Sequence, residues 1–505
     1  MTACVFSATS IGFEGELIEV ECDASNGLPG LLIVGLGNKA IDEAKERVRS
    51  AIKNSGLEFP RKRLTVNLAP ANLPKDGAHF DLPIALALLV TSGQLPQKSL
   101  DDVLVVGELA LDGTLRPIKG VINHAQTARQ HNIATIIVPE ANLAQAQLVE
   151  GVTVLTAHTL RDIYLHLNNA APIQPQNAPT ITVRASASSI DLDDVQGQEQ
   201  AKRALVIAAA GHHNILFNGP PGAGKTMLAK ALTSILPPLS REEIIEVTKL
   251  HSLAGECYEE VLASRPFRSP HHSASHIALI GGGRVPRPGE VSLAHRGVLF
   301  LDELPEYSRQ ALEALRQPLE DKRVHIVRAN DRVSYPADFM LIATQNPCPC
   351  GYATDPSREC TCSAHQIMQY QKKVSGPLLD RIDMIVEVSR VDADRLLRSH
   401  KGPSQAQDVQ RNILTARDTQ RARFGKSEKT NAHLTNRDIQ AVVNLEPAAK
   451  QLLDRAATNL QLSARGYFKV IKVARTIADL EGSTTTETQH ISEALQYRPR
   501  IQLTS

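Results

Sequence analysis

Residues 219–226 have the sequence GPPGAGKT and match the phosphate-binding pattern G-x-x-x-x-G-K-[ST] at every fixed position. In loops of this pattern, backbone N–H groups surround a β-phosphate, and the following helix adds the positive end of its dipole. The pattern predicts that Lys225 reaches the β- and γ-phosphates and that the Thr226 hydroxyl binds Mg²⁺. The residues predicted to bind a nucleoside triphosphate, ATP, are Gly219, Pro220, Pro221, Gly222, Ala223, Gly224, Lys225 and Thr226.

The segments on either side of this loop have the patterns that it requires. Residues 215–217 are a short apolar run typical of a buried strand, and residues 227–236 carry apolar side chains at helical spacing. Without a strand before it and a helix after it, a glycine-rich segment would indicate only a turn between two elements. Because both the strand and the helix are indicated, the sequence predicts the nucleotide-binding loop of an α/β domain.

Two carboxylates follow a second apolar strand, at residues 297–301. A continuous apolar run is expected for a parallel strand that is covered on both faces. Asp302 is predicted to hold Mg²⁺, and Glu303 is predicted to polarise the attacking water. A helix-capping role would explain Asp302 alone, but not the adjacent pair. A third strand, at residues 339–344, is followed by Asn346, whose amide can bond the γ-phosphate or that water.

These motifs, in this order, resemble the core of an AAA+ ATPase, in which Asn346 matches the position called sensor 1. Residues 378–383, LLDRID, resemble the arginine-finger motif of the helix-2-insert clade of these ATPases. The resemblance implies that Arg381 contacts the γ-phosphate bound by a neighbouring subunit and that Arg465 occupies the catalytic sensor 2 position. A surface ion-pair cluster around Arg381 and an exposed first-turn position for Arg465 are the alternative interpretations. A site divided in this way requires a ring.

The chain between Thr226 and Asp302 is longer than a helix and a strand require, and it resembles the insert that interrupts helix 2 in that clade. Residues 323–335 are predicted to form a β-hairpin around Asn330 and Asp331. In a ring both segments would face the channel, where basic side chains suit a phosphodiester backbone. A solvated charged hairpin is the alternative. The DNA-contact candidates are the basic residues of the two segments: Arg284, Lys322, Arg323, Arg328 and Arg332.

Four cysteines follow Asn346 closely and form two C-x-C pairs. Four thiolates are the ligand set of a tetrahedral structural Zn²⁺ site, and the turn-rich residues between the pairs suit a metal-binding knuckle. Free or redox-active thiols are the alternative, because C-x-C is tighter than the usual C-x₂-C spacing. The predicted zinc ligands are Cys348, Cys350, Cys360 and Cys362.

At 505 residues, with 42% hydrophobic and 22% charged residues, the chain has the composition of a globular α/β multidomain protein. The formal net charge of +1 excludes a global basic field, so nucleic acid would have to meet local basic clusters. No apolar run is long enough to span a membrane and no secretory signal is evident, so a cytoplasmic location is predicted. The sequence predicts domains at 1–167, 191–391 and 392–505, with a linker at 168–190.

The N-terminal domain resembles the S5/Lon-protease fold, an α+β domain, through residues 74–81 and 107–118. Lon proteases cleave peptides with a Ser–Lys dyad. Aligned by these motifs, the nucleophile position falls on His79 and the lysine position on Ile122, and neither residue can serve in that dyad. The resemblance therefore implies this fold without peptidase chemistry. A catalytic role of His79 together with Asp81 is the alternative.

Over nearly its whole length the chain is identified as a member of the YifB/ComM family of magnesium-chelatase-like AAA+ ATPases, through residues 270–275, 346–351 and 375–381. The resemblance implies a Lon-like domain, an AAA+ core with the helix-2 insert, and a C-terminal helical connector and lid. It also implies a homohexameric, ATP-driven DNA helicase. Its expected role is branch migration of single-stranded or branched DNA in natural transformation or homologous recombination, with recombination proteins as partners. A magnesium-chelatase-type motor that remodels a protein partner, and a Lon-like protease, are the competing readings.

Overall fold

The structure is a computed structural model that describes residues 2–35, 38–73, 75, 77–176, 190–283, 286–327, 332–391, 405–425 and 429–498. The strands of the N-terminal part are β1 (Ala3–Ile11), β2 (Glu14–Ser25), β3 (Gly30–Val34), β4 (Arg63–Ala69), β5 (Val103–Val105), β6 (Glu108–Leu109), β7 (Leu115–Arg116), β8 (Thr135–Pro139) and β9 (Thr153–Ala157). Its helices are α1 (Asn38–Asn54), α2 (Asp81–Thr91), α3 (Val121–Gln130), α4 (Leu143–Ala146) and α5 (Leu160–Leu167).

The N-terminal part is built on a mixed seven-stranded sheet in the order β3-β4-β2-β1-β5-β8-β9. β1 and β2 pair antiparallel from Ala3↔Cys22 to Ile11↔Glu14, whereas β5, β8 and β9 run parallel. The helix α2 is apolar on nearly all sides and is buried from Asp81 to Leu89, as expected for a helix enclosed by other elements.

The central part of the chain alternates strands and helices. Its strands are β10 (Ile215–Asn218), β11 (Phe267–Arg268), β12 (Gly281–Gly282), β13 (Arg287–Pro288), β14 (Val298–Leu301), β15 (Arg323–Val327), β16 (Arg332–Pro336), β17 (Met340–Gln345) and β18 (Met384–Glu387). Its helices are α6 (Glu199–Gly211), α7 (Lys225–Ile235), α8 (Arg241–Ala254), α9 (His276–Ile280), α10 (Glu290–Leu293), α11 (Arg309–Ala314), α12 (Arg316–Asp321), α13 (Ala364–Gln371) and α14 (Gly376–Leu379).

The central sheet is parallel throughout, in the order β11-β14-β17-β10-β18. The predicted strands at 215–217, 297–301 and 339–344 are confirmed as β10, β14 and β17, and the predicted hairpin is formed by β15 and β16. β14 is buried along its whole length, which explains its uninterrupted apolar sequence. Because the strands are parallel, the loops after β10, β14 and β17 meet at one edge of the sheet.

The C-terminal part is helical in the described residues. Its helices are α15 (Gln405–Phe424), α16 (Asn436–Val442), α17 (Pro447–Asn459), α18 (Ala464–Leu480) and α19 (Thr488–Gln496). α15 and α18 pack on α6 of the central part. Arg417 on α15 secures this contact, because its guanidinium donates two hydrogen bonds to the Ala209 carbonyl. Residues 177–189 of the predicted linker and 392–404 lie outside the described residues, so the domain boundaries placed there stay predictions.

The N-terminal part and α8 share one hydrophobic core. Leu239, Ile244 and Val247 lie in the same buried cluster as Val121 and other side chains of the N-terminal sheet and of α3. Polar contacts reinforce this interface, such as the hydrogen bond from the Gly120 N–H to the Ser252 hydroxyl (3.0 Å). The two parts are therefore joined by a packed interface as well as by the linker.

The turn between β1 and β2 contacts two segments of the central part. A Cβ atom on Gly12 would lie 2.2 Å from Cγ1 of Val333, so the turn touches the hairpin directly. The Lys249 ammonium lies 4.2 Å from the centre of the Phe13 ring, and it also donates to Gln126 on α3 (2.7 Å). The N-terminal part thus contacts both the predicted channel hairpin and α8. In the part of the chain that the structure describes, every helix is too short or too polar to cross a lipid bilayer.

Candidate nucleotide site

The phosphate-binding loop connects β10 to α7 as the sequence predicted. Gly222 and Gly224 adopt positive φ angles of 76° and 85°, which side-chain-bearing residues rarely adopt. A Cβ atom on either glycine would meet no heavy atom within 4 Å, so the concave side of the loop is open. Gly224 ends the loop and precedes Lys225, the first residue of α7. The loop therefore offers backbone N–H groups and a helix N-terminus to a phosphate group.

Lys225 projects into the space between this loop and the neighbouring strand. Its ammonium donates to the carbonyls of Gly219 (2.5 Å) and Pro220 (3.1 Å) and to Oδ1 of Asn346 (2.9 Å). Burial lowers the pKa of Lys225 to about 8, and the carboxylates of Asp302 and Glu303 act in the opposite direction. Phosphate oxygens would replace the carbonyls as acceptors and would stabilise the charged form of Lys225.

The carboxylate of Asp302 lies next to Thr226, as a shared Mg²⁺ site requires. The Thr226 hydroxyl donates to Oδ2 of Asp302 (3.2 Å), and the Thr344 hydroxyl donates to Oδ1 (2.5 Å). A hydroxyl and a carboxylate are hard oxygen ligands that fit Mg²⁺. These two side chains could hold the ion and orient it toward a bound triphosphate.

Glu303 is held in an unusual backbone conformation directly after β14. Its φ and ψ are 52° and 54°, a left-handed conformation that is rare for a residue with a side chain. Its N–H donates to the Thr344 hydroxyl (3.0 Å), so one threonine fixes both Asp302 and the backbone of Glu303. Thr344 is completely buried at the end of β17. The sequence analysis did not single out Thr344, although its position two residues before Asn346 was visible.

Arg381 lies at the other edge of the central sheet. Its carbonyl accepts a hydrogen bond from the Asn214 side chain (3.2 Å), and Asn214 immediately precedes β10. The phosphate-binding loop begins at Gly219, after the other end of the same strand, roughly 16 Å away at the usual rise per residue. The Arg381 guanidinium bonds to the carbonyls of Arg316 (3.2 Å) and Pro377 (2.6 Å). Arg381 and the nucleotide loop of the same chain are therefore held apart by the sheet.

Arg465 lies beside Arg381, and one carboxylate joins the two. Oε1 of Glu320 accepts from NH2 of Arg381 (2.7 Å) and from NH2 of Arg465 (2.9 Å). Arg465 also lies 3.7 Å from Asp380, and Ser463, the N-cap of α18, bonds to the same aspartate. The two predicted catalytic arginines thus form one basic pair at the edge that faces away from their own nucleotide loop. The sequence analysis missed Glu320, because nothing local marks it as the partner of either arginine.

The four predicted zinc ligands come together in the loop after β17. The sulfur of Cys348 lies 3.3 Å from that of Cys350 and 3.7 Å from that of Cys360, and all four sulfurs lie within 4.8 Å of one another. A tetrahedral Zn²⁺ with Zn–S bonds of about 2.3 Å would separate its sulfurs by about 3.8 Å. The Cys350 N–H points at the sulfur of Cys362 (3.4 Å), as expected for a thiolate in a metal knuckle. The donor set therefore fits zinc.

A second group of potential metal ligands, His212, Asp338 and His433, does not fit a metal. Nδ1 of His433 accepts from the Thr430 N–H (3.2 Å), so the proton of the neutral ring is on Nε2. That nitrogen donates to Oδ1 of Asp338 (2.9 Å), and the Lys322 ammonium lies 3.5 Å from the same carboxylate. The group is a hydrogen-bonded network between the central and C-terminal parts.

The DNA-contact candidates are only partly described. Arg323 and Arg332 are exposed on β15 and β16 of the hairpin. Lys322 precedes the hairpin. Its ion pair with Asp338 holds the ammonium near the start of β17 rather than on the hairpin. Arg284 and Arg328 lie outside the described residues.

In the N-terminal part, His79 is half-buried, and its Nε2 atom is shielded from solvent. Its ring lies 5.3 Å from that of His124, and burial lowers the pKa of His79 to about 4. Asp81 is paired with Arg47 (2.7 Å), and burial raises the pKa of Asp81 to about 6. Ile122 is fully buried. His124, which the sequence analysis did not consider, is therefore the residue that meets His79.

Three family models match the chain. Those described as "Subunit ChlI of Mg-chelatase", "Magnesium chelatase, subunit ChlI" and "Magnesium chelatase, subunit ChlI C-terminal" match residues 20–142, 191–396 and 403–498. The magnesium-chelatase 67 kDa subunit of Heliobacterium mobile is 28% identical, but it aligns with only 32% of this chain and 28% of its own length. Similarity to this 67 kDa subunit is therefore confined to about a third of the chain.

Other relatives align from end to end. The competence protein ComM of Haemophilus influenzae is 44% identical over 99% of this chain and 98% of its own length. The protein YifB of Escherichia coli is 43% identical over 98% of this chain and 96% of its own length. AAA+ ATPases of this kind act on ATP with Mg²⁺, which agrees with the nucleotide site described above. Together these matches show that the chain belongs to the YifB/ComM family of magnesium-chelatase-like AAA+ ATPases.

Proposed function

We propose that this chain forms a hexameric ring that hydrolyses ATP to drive DNA through its channel as a helicase. Branch migration of joined DNA strands, in natural transformation and homologous recombination, is the activity proposed for it. The similarity in sequence to a protein named for competence supports this biological role. In this proposal the N-terminal part has the Lon-like fold and the central part belongs to the helix-2-insert clade.

The observation that carries the ring is the separation of Arg381 from its own nucleotide loop. A side chain at the amino-terminal edge of the sheet is available to the nucleotide of an adjacent subunit. An arginine supplied from outside stabilises the charge of the transferring phosphoryl group and accelerates hydrolysis by about 10³–10⁵. In the proposal, Arg381 and Arg465 of one subunit complete the site that contains Lys225 of the next.

The other site residues act within one subunit. Thr226 and Asp302 hold Mg²⁺, and Lys225 neutralises the β- and γ-phosphates. Glu303 accepts a proton from the attacking water, and Asn346 orients that water or the γ-phosphate. The hydrogen bond from the Glu303 N–H to the Thr344 hydroxyl fixes the backbone of Glu303. In this proposal, that bond orients the Glu303 carboxylate before the nucleotide binds.

Zn²⁺ is proposed as a structural ion of the four-cysteine loop. When bound, it cross-links two pairs of thiolates and closes a loop that has no helix or strand between Gln345 and Ala364. Structural zinc sites of this kind contribute directly to folding free energy. The ion takes no part in hydrolysis in this proposal.

The proposed DNA contact is the hairpin of β15 and β16. Arg332 is exposed and lies near the tip, opposite Val327. Arg332→Gln is expected to weaken DNA binding for all sequences and to reduce the dependence of affinity on salt by about one phosphate contact. Arg455→Gln, an equal charge change on the exposed face of α17, is the control that should leave the salt dependence unchanged.

A magnesium-chelatase-type motor that remodels a protein partner is the second candidate function, and the three family models favour it. The two functions are separated by what stimulates hydrolysis. A DNA motor is activated by forked or four-stranded DNA, whereas a protein remodeller is indifferent to DNA. Recombination proteins remain proposed partners of the DNA motor.

The test is a strand-separation assay on forked and four-stranded DNA, with ATPase activity measured in parallel. The proposal predicts that these substrates stimulate ATPase activity and are separated only when ATP is hydrolysed. Glu303→Gln should bind nucleotide and DNA without separating strands. Strand separation by Glu303→Gln, or an ATPase rate that DNA leaves unchanged, would contradict the proposal.

A further inference from the structure

The four-cysteine loop packs directly against the tip of the phosphate-binding loop. A Cβ atom on Gly351 would lie 2.5 Å from Cδ of Pro221 and 2.7 Å from its Cγ, closer than real Cβ contacts. Gly351 also has a φ of 86°, which favours glycine. Gly351 lies between Cys350 and the rest of the knuckle, so any shift of the cysteines moves the surface that supports Pro221.

A second connection passes through Arg390, which follows β18. Its NH2 group donates to the Pro221 carbonyl (3.3 Å), and its Nε lies 3.3 Å from the carboxylate of Asp355. Asp355 lies between the two cysteine pairs, and its side chain is only 2% exposed. The Tyr352 ring lies 5.5 Å from the Arg390 guanidinium. Arg390 therefore ties the turn of the cysteine loop to the phosphate-binding loop from a different strand.

The third connection is the chain itself. Asn346, which bonds Lys225, lies two residues before Cys348, and Cys348 is completely buried. The carbonyl between them, at Pro347, accepts a hydrogen bond from Gln371 on α13 (3.3 Å). Displacement of Cys348 would therefore move the amide that contacts Lys225.

These connections place the cysteine loop in the wall of the nucleotide site, whereas the loop has little structure of its own. Its residues form no helix or strand, so fixing them is opposed by conformational entropy. A metal ion that joins four sulfurs removes most of that freedom, because it closes the loop at both ends. Binding of the ion would therefore fix the position of the wall.

We propose that the metal in the four-cysteine loop controls nucleotide binding, because it fixes Pro221 and Asn346 on two sides of the phosphate site. This inference rests on the proposed function, since it assumes that zinc is bound and that ATP is the ligand. It goes further by making metal content a regulator of the motor, so that a chain that has lost zinc binds nucleotide more weakly. The same loop as a DNA-gripping element is the alternative that the experiment separates from it.

The experiment measures three properties of the full chain: its affinity for a fluorescent, non-hydrolysable ATP analogue, its affinity for forked DNA, and its zinc content. The chain is compared as purified, after removal of metal by a chelator, and after zinc is restored. The expected result is one zinc per chain, a loss of affinity of about tenfold on removal, and recovery on reloading. Cys362→Ser should match the stripped chain, and Cys257→Ser, which lies outside the cluster, should match the unmodified chain.

A second pair of variants keeps the test valid if the stripped chain unfolds. Arg390→Gln retains all four cysteines but removes the bond to Pro221, so it should keep its zinc and lose nucleotide affinity. Arg358→Gln is the control, because Arg358 stacks on Tyr352 (4.1 Å) without bonding to Pro221. Loss of nucleotide affinity in Arg390→Gln, with unchanged affinity in Arg358→Gln, would support the connection between the cysteine loop and the phosphate-binding loop.

The remaining outcomes separate the inference from the proposed function. Unchanged nucleotide affinity in the stripped chain and in Arg390→Gln would overturn the inference and leave the ATPase intact. Unchanged nucleotide affinity with a loss of DNA binding would assign the loop to DNA. Absence of nucleotide binding by the zinc-loaded chain would overturn the proposed function itself.

Discussion

Arg381 and Lys225 lie at opposite edges of the same parallel sheet. Arg381 contacts Asn214 before β10 begins, and Lys225 follows the loop that starts where β10 ends. A strand that separates the two residues prevents them from serving the same nucleotide within one chain. This relationship is the observation on which the proposal of a catalytic site shared between neighbouring subunits rests.

Glu320 is expected to position Arg381 and Arg465, the two arginines proposed to be catalytic. Glu320→Gln removes the charge that joins Arg381 and Arg465, and the two guanidiniums then repel each other. We expect a fall in kcat of about tenfold with an unchanged nucleotide affinity, because the variant's own phosphate site is intact. Steady-state ATPase kinetics with nucleotide titrations measure both quantities. Glu313→Gln, whose carboxylate pairs with Arg316 on the same segment, is the control. An equal fall in both variants would refute the positioning role.

Thr344 is expected to be required for hydrolysis although it contacts no substrate. Thr344→Val keeps the shape of the side chain but removes the donor to Asp302 and the acceptor for the Glu303 N–H. The hydrogen bond that is lost is only partly buried, so the cost in stability is expected to be at most about 1–3 kcal/mol, and the geometry of the carboxylates should suffer. We expect a lower kcat and a raised Mg²⁺ requirement, measured by ATPase titrations with the metal. Thr415→Val, on the exposed face of α15, is the control, and full activity of Thr344→Val would contradict this role.

Nucleotide affinity is expected to depend on pH through Lys225. Burial lowers the pKa of Lys225 to about 8, and bound phosphates favour its charged form. A group whose pKa is higher in the complex takes up a proton on binding, so affinity is full below pH 8 and weakens above it. Above pH 8, nucleotide affinity is expected to fall by at most about tenfold per pH unit. Nucleotide titrations between pH 7 and 9 test this, and Lys225→Ala should bind weakly without the alkaline fall. Constant or rising affinity of the unmodified chain above pH 8 would exclude this assignment.

The N-terminal part is expected to remain docked through α8. Ile244→Ala removes a buried side chain from the core that the two parts share, which should lower the free energy of unfolding by about 2–5 kcal/mol. Limited proteolysis should then release the N-terminal part as a separate fragment. Ile245, the next residue of α8, is only partly buried at the edge of the same core, so Ile245→Ala should have a smaller effect. Equal effects of the two substitutions would contradict the placement of Ile244 at the centre of this interface.

Local patterns predicted which elements carry the residues of the candidate nucleotide site. The phosphate-binding loop, Asp302, Glu303 and Asn346 each follow an apolar strand, and parallel strands bring their carboxyl ends to one edge. The clustering of the four cysteines was predictable for a similar reason, because all four lie within one short segment of the sequence. The left-handed backbone of Glu303 was not predictable, since it depends on the Thr344 hydroxyl from another strand.

Contacts between distant segments were not predictable. Glu320 pairs with Arg381 and Arg465 only because the fold brings three segments together, and its own surroundings in the sequence are unremarkable. The composition of residues 168–190 predicted a linker between the N-terminal domain and the ATPase core. The apolar face of α8 gives no indication of its partner, so the shared core around Val247 became visible only in the structure.

The most direct test of the shared site mixes two inactive variants. Lys225→Ala lacks the phosphate-binding lysine, and Arg381→Ala lacks the arginine that is expected to act on a neighbour. In mixed rings, a Lys225→Ala subunit can donate its Arg381 to the intact nucleotide loop of an Arg381→Ala subunit. The measurement is DNA-stimulated ATPase activity as a function of the mixing ratio, with formation of mixed rings verified separately. We predict that each variant alone is inactive and that the mixture recovers activity, with a maximum near equal amounts. Full activity of Arg381→Ala alone, or mixed rings without any recovery, would contradict the account.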